Sequence, residues 1–346
     1  MATLAARDEP TDQEFAMSVS VQATRAKRVQ MLAAVLALSL GAASGGAYAQ
    51  QQTVAVTAIV EHPSLDAIRE GTREGLKRAG FETDQNLRWQ FQSAQGNTAT
   101  AGQIARQFVG SRPAVIVAIA TPSAQSVVAA TKEIPVVFSG VTDPVAAKLV
   151  KSWEPSGTNV TGVSDQLALE KQIELIKRIA PGAKRVGMVH NPGEANSAVV
   201  VKALQALLPK SGMSLVEAAS PRTVDVGSAA RSLIGKVDVL YSATDNNVSS
   251  AYESLVKVAN DAKIPLISGD TAGVTRGAVA SLGIDYYQLG VQTGTIVARI
   301  LKGEAPGSIA PETSQKLSLH VNPGAAQKQG VTLSPEMLKS AAHVVK

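Results

Sequence analysis

The chain contains no cysteine, and aromatic residues make up only 3% of its 346 positions. The absence of cysteine excludes disulfide bonds and thiolate metal sites. Because aromatics are scarce, Ala, Val, Leu and Ile must supply most of the 45% hydrophobic content. Such a core is typical of a parallel sheet covered by helices, and the length predicts two domains.

The sequence also lacks the motifs of several protein classes. Its net charge of +5 is dispersed without a basic run, so we expect no nucleic-acid partner. A G-x-S-x-G elbow, a P-loop and a G-x-G-x-x-G fingerprint are all missing, and we predict no cofactor. A Ser/His/Asp hydrolase remains compatible with the composition, although no feature favours one. We therefore predict that the protein is not an enzyme.

Histidine is rare, but two of the four histidines end corresponding strands. His62 and His190, with Glu61 and Glu194, could form a site of two imidazoles and two carboxylates. No close-spaced ligand motif such as H-E-x-x-H supports such a site. We predict that these side chains hydrogen bond to an organic ligand or to the loops, and that no metal is bound.

The N-terminal residues resemble an export signal. Arg25, Lys27 and Arg28 precede the apolar run "VQMLAAVLALSLGAA", and "AYA" follows at Ala47–Ala49. This order predicts a signal peptide over residues 1–49, cleaved after Ala49. The apolar run is shorter than the ~20 residues of a membrane span. Without a cysteine for a lipid anchor, we expect a free periplasmic protein.

The rest of the chain alternates strands with helices and repeats itself. Residues 55–140 and 185–269 have the same element order, and "AIATP" at Ala118–Pro122 corresponds to "YSATD" at Tyr241–Asp245. "IPVVFSG" corresponds in the same way to "IPLISG". Such alternation predicts parallel sheets with right-handed crossovers. The sequence therefore predicts an α/β protein with two doubly wound parallel-sheet lobes.

Further elements follow the second copy and fit neither repeat. "GAVASLGID" is strand-like, "YYQLGVQTGTIVARILKG" is a long amphipathic helix, and "KLSLHVN" is a final strand. We expect the chain to cross between lobes three times, near 141–166, 270–280 and 303–316. This three-segment hinge gives an N-terminal lobe of 53–160 plus 277–303 and a C-terminal lobe of 161–276 plus 304–346. Two lobes joined in this way form a clamshell.

Ligands bind at the carboxyl ends of parallel strands, and polar loops follow those ends here. The first lobe has "EHPS" with His62, "SAQGN" with Gln95, "TPSA" and "SGVTDP"; the second has "HNPGEANS" with Asn191, "ASPRT", "ATDNN" and "SGDTAG". We predict that the two sets face each other across a ligand-binding cleft.

Helix starts within these loops offer sites for a carboxylate. Thr121 is a candidate N-cap, Pro122 suits the first helical position, and Ser123 adds a hydroxyl. Asn196 and Ser197 offer a second start. Free N–H groups and the helix dipole attract an anion. Plain capping is the alternative for each start alone.

Three carboxylates could face a ligand ammonium. Asp245 occupies the position of Pro122 in the second copy, and Asp143 and Asp270 follow the last strands of the two copies. Each could instead cap its own helix or turn. Carboxylates opposite N–H groups suit a zwitterion such as an amino acid. A sugar uses Asp, Asn and Gln too, so that class remains open.

Longer segments resemble a known family. They are "IVEHPSLDAIREG", "AQGNTATAGQIA", "IVAIATPSAQ", "IPVVFSGVTDPVAAKLV", "GTNVTGVSD", "HNPGEANS" and "SGDTAGVTRGAVASLGIDYYQLGVQTG". Over residues 53–330 the chain is similar to ABC-transporter substrate-binding proteins whose characterised members bind tryptophan or related aromatic amino acids. The resemblance implies the type I periplasmic binding protein clamshell. By motif it carries over as ligand contacts His62, Thr121, Pro122, Ser123, Glu194, Asn196, Ser197 and Asp245.

The resemblance implies a function and partners. It points to a monomeric periplasmic receptor that binds a small amino-acid-like ligand and delivers it to an ABC permease with its ATPase subunit. The sequence does not separate this from a periplasmic sensor, or from a receptor for sugars, nucleosides or organic acids. A sugar-responsive repressor would need a helix-turn-helix where the signal segment stands. The quoted loops carry few aromatics beyond the nearby Phe138 and Tyr241, which we expect to pack in strands.

Overall fold

The computed structural model describes residues 51–314 and 317–346. The predicted signal peptide over residues 1–49 lies outside the described residues. None of the helices in the described part is long and apolar enough to cross a membrane.

Strands and helices alternate along the chain, as the sequence predicts. The strands are β1 (Gln52–Ala58), β2 (Leu87–Ser93), β3 (Val115–Ile119), β4 (Val136–Ser139), β5 (Val160–Ser164), β6 (Arg185–His190), β7 (Ser214–Ala219), β8 (Val239–Ser242), β9 (Leu266–Asp270), β10 (Ala280–Ile284), β11 (Glu312–Thr313), β12 (Leu317–Val321) and β13 (His343–Val344). The helices are α1 (Pro63–Arg78), α2 (Thr98–Ser111), α3 (Thr121–Ala130), α4 (Leu169–Ile179), α5 (Ala195–Leu207), α6 (Val226–Ser232), α7 (Asn246–Ser250), α8 (Tyr252–Ala262), α9 (Thr271–Thr275), α10 (Tyr286–Leu301), α11 (Pro323–Lys328) and α12 (Pro335–Ser340).

Two separate sheets form the centres of two lobes. The first has the order β11-β5-β4-β3-β1-β2, and all its neighbouring strands are parallel. The second has the order β13-β12-β10-β9-β8-β6-β7 and is parallel except where β12 runs antiparallel to β10. Parallel strands buried on both faces are continuous apolar runs. The run "VIVAI" of β3 is completely buried, which explains why the sequence shows no polar alternation there.

Aliphatic side chains fill the cores, as the low aromatic content requires. The first lobe buries one large cluster around β1, β3 and β4. The second lobe buries two clusters, with Tyr241 and Ile267 in one and Leu240 and Leu266 in the other. Because side chains alternate along a strand, these clusters lie on opposite faces of the second sheet. Phe138 and Tyr241 are buried in β4 and β8 as predicted.

The chain crosses between the sheets three times, and only the second crossing differs from its predicted position, because it comes after the end of β10 at Ile284 and not near residues 270–280. The crossings follow β5, β10 and β11, so β5 and residues 304–314 stay with the first lobe. The assignment of residues 277–303 to the first lobe was wrong for β10, which pairs with β9 in the second sheet. Gly277 lies two residues after the end of α9 and has a φ of 118°, and the Val279 N–H then donates to the carbonyl of Leu266 in β9. Sequence alone does not indicate which sheet an added strand extends.

Helix α10 packs on α1 in the first lobe through facing glycines. A Cβ on Gly71 of α1 would overlap the carbonyl oxygen of Tyr287, and one on Gly294 of α10 would overlap that of Thr72. Glycine at these positions lets the two backbones approach directly. The contact fixes the start of α10, and therefore Tyr286, at the edge of the cleft between the lobes.

Candidate ligand-binding site

A cavity lies between the two lobes. Its walls are the polar loops that follow the strands and the first turns of the helices after them. The lining residues are His62, Ser64, Leu65, Ala120, Thr121, Gly140, Thr142, Asp165, Asn196, Thr244, Asn246, Ser249, Asp270 and Tyr286. We refer to this space as the cleft cavity.

The start of α3 forms part of the first lobe's wall. Ala120 is the N-cap residue, with a φ of 70°, and no side chain caps the helix. The prediction that Thr121 is the N-cap was wrong, because Thr121 is already helical and Pro122 follows it in the first turn. The Thr121 hydroxyl is buried and has no hydrogen-bond partner within the described ranges. The N–H groups of a first turn also lack partners inside the helix. This helix start is therefore open toward the cleft cavity.

Two asparagines form the second lobe's wall, and one glutamate holds both. Glu194 accepts hydrogen bonds from Asn196 Nδ2 at 2.9 Å and from Asn246 Nδ2 at 2.7 Å. Burial, and then the nearby charge of Asp245, raises the pKa of Glu194 to about 7. Glu194 was predicted as a ligand contact, but it lies behind the asparagines that line the cavity. It is the N-cap residue of α5, so Asn196 and Ser197 belong to the first helical turn and are not caps.

Asp245 organises the second lobe from behind the same wall. Its carboxylate accepts hydrogen bonds from the backbone N–H of Asn191 at 2.6 Å, from Ser197 Oγ at 2.6 Å and from the Val248 N–H at 3.0 Å. The last bond caps α7. Asn191, Ser197 and Asp245 do not line the cleft cavity. The expectation that Asp245 faces a ligand ammonium therefore does not fit its position, because its oxygens already accept three donors.

Asp165 lines the cavity where the chain first leaves the first lobe. Its oxygens accept hydrogen bonds from Tyr286 Oη at 2.8 Å and from Thr142 Oγ1 at 3.0 Å. Tyr286 begins α10, immediately after the second crossing, so this bond joins two segments of the hinge. Burial raises the pKa of the Asp165 carboxyl above its ordinary range. Asp165 takes part in no salt bridge with any residue of 51–314 or 317–346.

Contacts between the lobes close the cavity. Ser64 of the first lobe donates a hydrogen bond to the carboxylate of Asp270 in the second. Thr142 and Thr244 form a hydroxyl–hydroxyl contact of 3.2 Å across the cleft. Asp270 also caps α9, and burial raises the pKa of its carboxyl. The two lobes therefore lie in a closed arrangement.

The side chains that line the cavity include carboxylates but no lysine or arginine. The carboxylates are those of Asp165 and Asp270. Burial, and then the charge of Arg276, lowers the pKa of His62 to about 4, so this imidazole is neutral near pH 7. Asp165 is buried and forms no salt bridge with a described residue, and a buried carboxylate without a cationic partner is costly. Asp270 is only partly buried and lies near the charge of Arg276. The site is therefore suited to a ligand that brings a positive charge.

The sequence predicted the loops that surround the cavity more accurately than the individual residues that line it. His62, Thr121, Asn196 and Asp270 line the cavity, whereas Gln95 hydrogen bonds to Glu61 on the surface and Asp143 caps its own turn. Pro122 and Ser123 are buried beside the cavity but do not line it. The missed residues include Ser64, Thr142, Asp165, Thr244, Asn246 and Tyr286. Ser64, Thr142, Thr244 and Asn246 stand in the loops named above, but Asp165 and Tyr286 lie at the hinge crossings.

The two histidines considered for a metal site have different surroundings. His62 lines the cleft cavity, while His190 lies 3.1 Å from Glu217 through Nε2 and outside the lining. Within residues 51–314 and 317–346, no group of three or more histidine or acidic side chains is arranged to hold a metal ion.

Two parallel-sheet lobes closed around a polar cavity define a two-lobed solute-binding protein. The model of the ABC transporter substrate binding protein family matches residues 53–345. The chain belongs to this family.

Three relatives are informative. A tyrosine-binding protein of Clostridioides difficile is 40% identical over 273 residues, which is 79% of either chain. An ABC domain from Streptococcus pneumonia, solved in complex with L-Trp, is 34% identical with a TM-score of 0.82, covering 85% of this chain and all of that one. A ligand-free, open substrate-binding protein from Clostridium difficile is 39% identical with a TM-score of 0.66, covering 85% and 99%.

The two solved structures differ in what they match. The open protein is more similar in sequence but less similar in structure, with a TM-score of 0.66 against 0.82 for the L-Trp complex. Both relatives match this chain over 85% of its length, so the lower TM-score of the open protein indicates a different arrangement of its two lobes. This difference agrees with the closed arrangement formed by the contacts of Ser64 with Asp270 and Thr142 with Thr244.

Proposed function

We propose that the protein binds an aromatic amino acid as a zwitterion in the cleft cavity and presents it to an ABC importer. The observation that carries the proposal is a cavity between the closed lobes that is lined by the buried Asp165 and the partly buried Asp270, by no lysine or arginine, and by an open helix start. The tyrosine-binding and L-Trp-bound relatives support the aromatic class.

Each charged group of the ligand has a complementary partner in this proposal. Asp165 receives the ammonium, because it is buried and the side chains that donate to it among the described residues do so through neutral hydroxyls. The first turn of α3 receives the carboxylate through its N–H groups, its dipole and the Thr121 hydroxyl. Asn196 and Asn246, held by Glu194, complete the contacts from the second lobe.

Binding and transport are linked through lobe closure. A ligand that contacts both lobes stabilises only the closed form and shifts the population toward it. The permease then recognises the closed protein, and the ligand leaves chemically unchanged. We further propose export to the periplasm through the signal segment and action as a monomer. N-terminal sequencing of periplasmic protein tests cleavage after Ala49.

Calorimetry with paired analogues tests the ligand class. We expect L-Tyr, L-Trp or L-Phe to bind, while tyramine lacks the carboxylate and the deaminated acid lacks the ammonium, so both bind far more weakly. A ligand at 100 times its Kd adds about 2.7 kcal/mol of stability, so a thermal shift gives an independent reading. Equal binding of the deaminated acid would contradict the zwitterion.

The Asp165→Asn variant tests the ammonium contact. Removing one partner of a buried charge pair costs about 2–5 kcal/mol, so we expect an affinity loss on the order of 100-fold. Asp143→Asn is the matched control, because Asp143 is a first-lobe aspartate that caps a turn outside the cavity. Similar affinities in both variants would remove Asp165 from the site.

A further inference from the structure

A second cavity adjoins the cleft cavity on the side of the second lobe. The two share Thr142, Asp165 and Thr244 in their linings. The remaining wall of the second cavity is mainly apolar and includes Leu167, Leu169, Val199, Val200, Ala203 and Tyr241. We call it the apolar cavity.

The linings of the two cavities contrast in chemistry. The cleft cavity presents hydroxyls, amides and carboxylates, whose hydrogen bonds an aromatic ring could not satisfy. The apolar cavity presents aliphatic side chains from α5 and from the segment between β5 and α4. Ligand sites combine such apolar walls with a few placed polar groups. Of the two cavities, the apolar cavity offers a ring the more favourable surroundings.

Asp165 lies at the junction of the two cavities. The Cα of an amino acid carries the ammonium, the carboxylate and the side chain together. If the ammonium binds at Asp165 and the carboxylate at the start of α3, the side chain leaves Cα beside the shared threonines. The 3.2 Å contact between Thr142 and Thr244 lies on this route.

We infer that the apolar cavity is the side-chain subsite, and that the ring of the amino acid enters it between Thr142 and Thr244. The inference rests on the proposed function and adds which residues select the side chain. Ala203 is the informative position, because it lines the cavity from α5 and is only half-buried.

The variant Ala203→Phe fills the apolar cavity, and Ala206→Phe is its matched control. Ala206 lies on the same helix, is exposed and does not line the cavity. We expect A203F to weaken L-Trp and L-Tyr binding at least about 10-fold by calorimetry, because overpacking of this size is costly. A206F is expected to bind as the wild type does.

Further measurements separate the subsite from other causes. Thermal melting without ligand checks that the variants fold. The smaller substitution A203L is also expected to weaken binding, with a larger loss of affinity for L-Trp than for L-Phe. NMR binding of L-alanine, which has no ring, is expected to be equal in A203F and wild type. An equal loss of L-alanine binding would assign the effect to lobe closure and overturn the subsite.

The outcomes also distinguish this inference from the proposed function. Wild-type affinity of A203F for L-Trp and L-Tyr would overturn the subsite and leave amino-acid binding intact. If the wild-type protein binds none of the aromatic amino acids, the proposed function fails and the subsite fails with it.

Discussion

Corresponding helix starts in the two lobes are built in opposite ways. In the second lobe, Asp245 caps α7 and also binds the Asn191 N–H and the Ser197 hydroxyl. In the first lobe, Ala120 provides no cap, and the hydroxyl of Thr121 has no partner among the described residues. In the second copy of the repeat, the Asp245 side chain caps the helix start. In the first copy no side chain caps it, so its N–H groups can bind a ligand.

Backbone conformation shows the same contrast. Asp245 has an extended φ of −89°, whereas Ala120 has a φ of 70° and a ψ of 156°. Few residues other than glycine adopt such values, and strain of this kind is concentrated at functional sites. The second lobe therefore forms an internally hydrogen-bonded wall, whereas the first lobe presents to the cavity donors that have no partner among the described residues.

The largest expected effect is on stability, from Asp245→Ala. This change removes a helix cap and leaves the Asn191 N–H and the Ser197 hydroxyl without their acceptor. We expect a loss of about 3 kcal/mol in the free energy of unfolding, measured by urea denaturation. Asp285→Ala removes only the exposed cap of α10 and should cost about 1 kcal/mol. Equal losses would show that the network behind Asp245 contributes nothing.

Glu194 makes the stability of the protein depend on pH. Its pKa is raised from 4.5 to about 7 in the folded protein, so the folded state binds this proton more tightly than the unfolded state. Its stability contribution is complete below pH 4.5 and is lost as pH rises through about 7. Glu194→Gln should therefore flatten the fall in urea midpoint between pH 5 and pH 8.

His62 provides the internal check on that profile. Its pKa is lowered to about 4, so its contribution is complete above pH 6.5 and is lost as pH falls toward 4. Both the wild type and the Glu194→Gln variant keep this opposite slope, and it cancels in their difference. A difference that does not vary with pH would exclude Glu194 as the titrating group.

The repeat and the alternation of strands and helices predicted the two lobes, because buried parallel strands and amphipathic helices differ in pattern. They also predicted the cleft loops, since the carboxyl ends of parallel strands meet at one edge. The second crossing was predicted too early in the sequence, because the residues of β10 resemble those of a hinge segment. Only the pairing of β10 with β9 assigns this strand to the second lobe.

Individual contacts were harder to predict than the loops that hold them. Asp245 and Asp165 are both aspartates that follow a strand. Asp245 accepts hydrogen bonds from three neighbouring donors, whereas Asp165 lines the cavity. That difference depends on which side chains the fold brings near each carboxylate. Tyr286 was missed for a similar reason, since its position depends on the glycine contact between α1 and α10.

Thr121→Val tests the open helix start in the first lobe. The hydroxyl has no partner among the described residues to lose, so the free energy of unfolding should change by less than about 0.5 kcal/mol. Ligand affinity should fall about 10-fold in calorimetry, because one hydrogen bond to a charged carboxylate is lost. Ser123→Ala is the control, since that hydroxyl is also buried without a partner but does not line the cavity. A stability loss with unchanged affinity in Thr121→Val would reverse the proposed contrast.

The smallest expected effects concern the backbone at the two equivalent alanines, Ala120 and Ala243. Glycine at Ala120 relieves the strain of its positive φ and should raise the free energy of unfolding by about 0.5–1 kcal/mol. Ala243 is not among the described residues with positive φ. Glycine there adds freedom to the unfolded chain and removes a methyl group that is buried in the core, so it should lower stability by at least that amount. Urea denaturation of A120G and A243G therefore gives opposite signs if the two helix starts differ as described. The same sign for both would mean that Ala120 stores no strain.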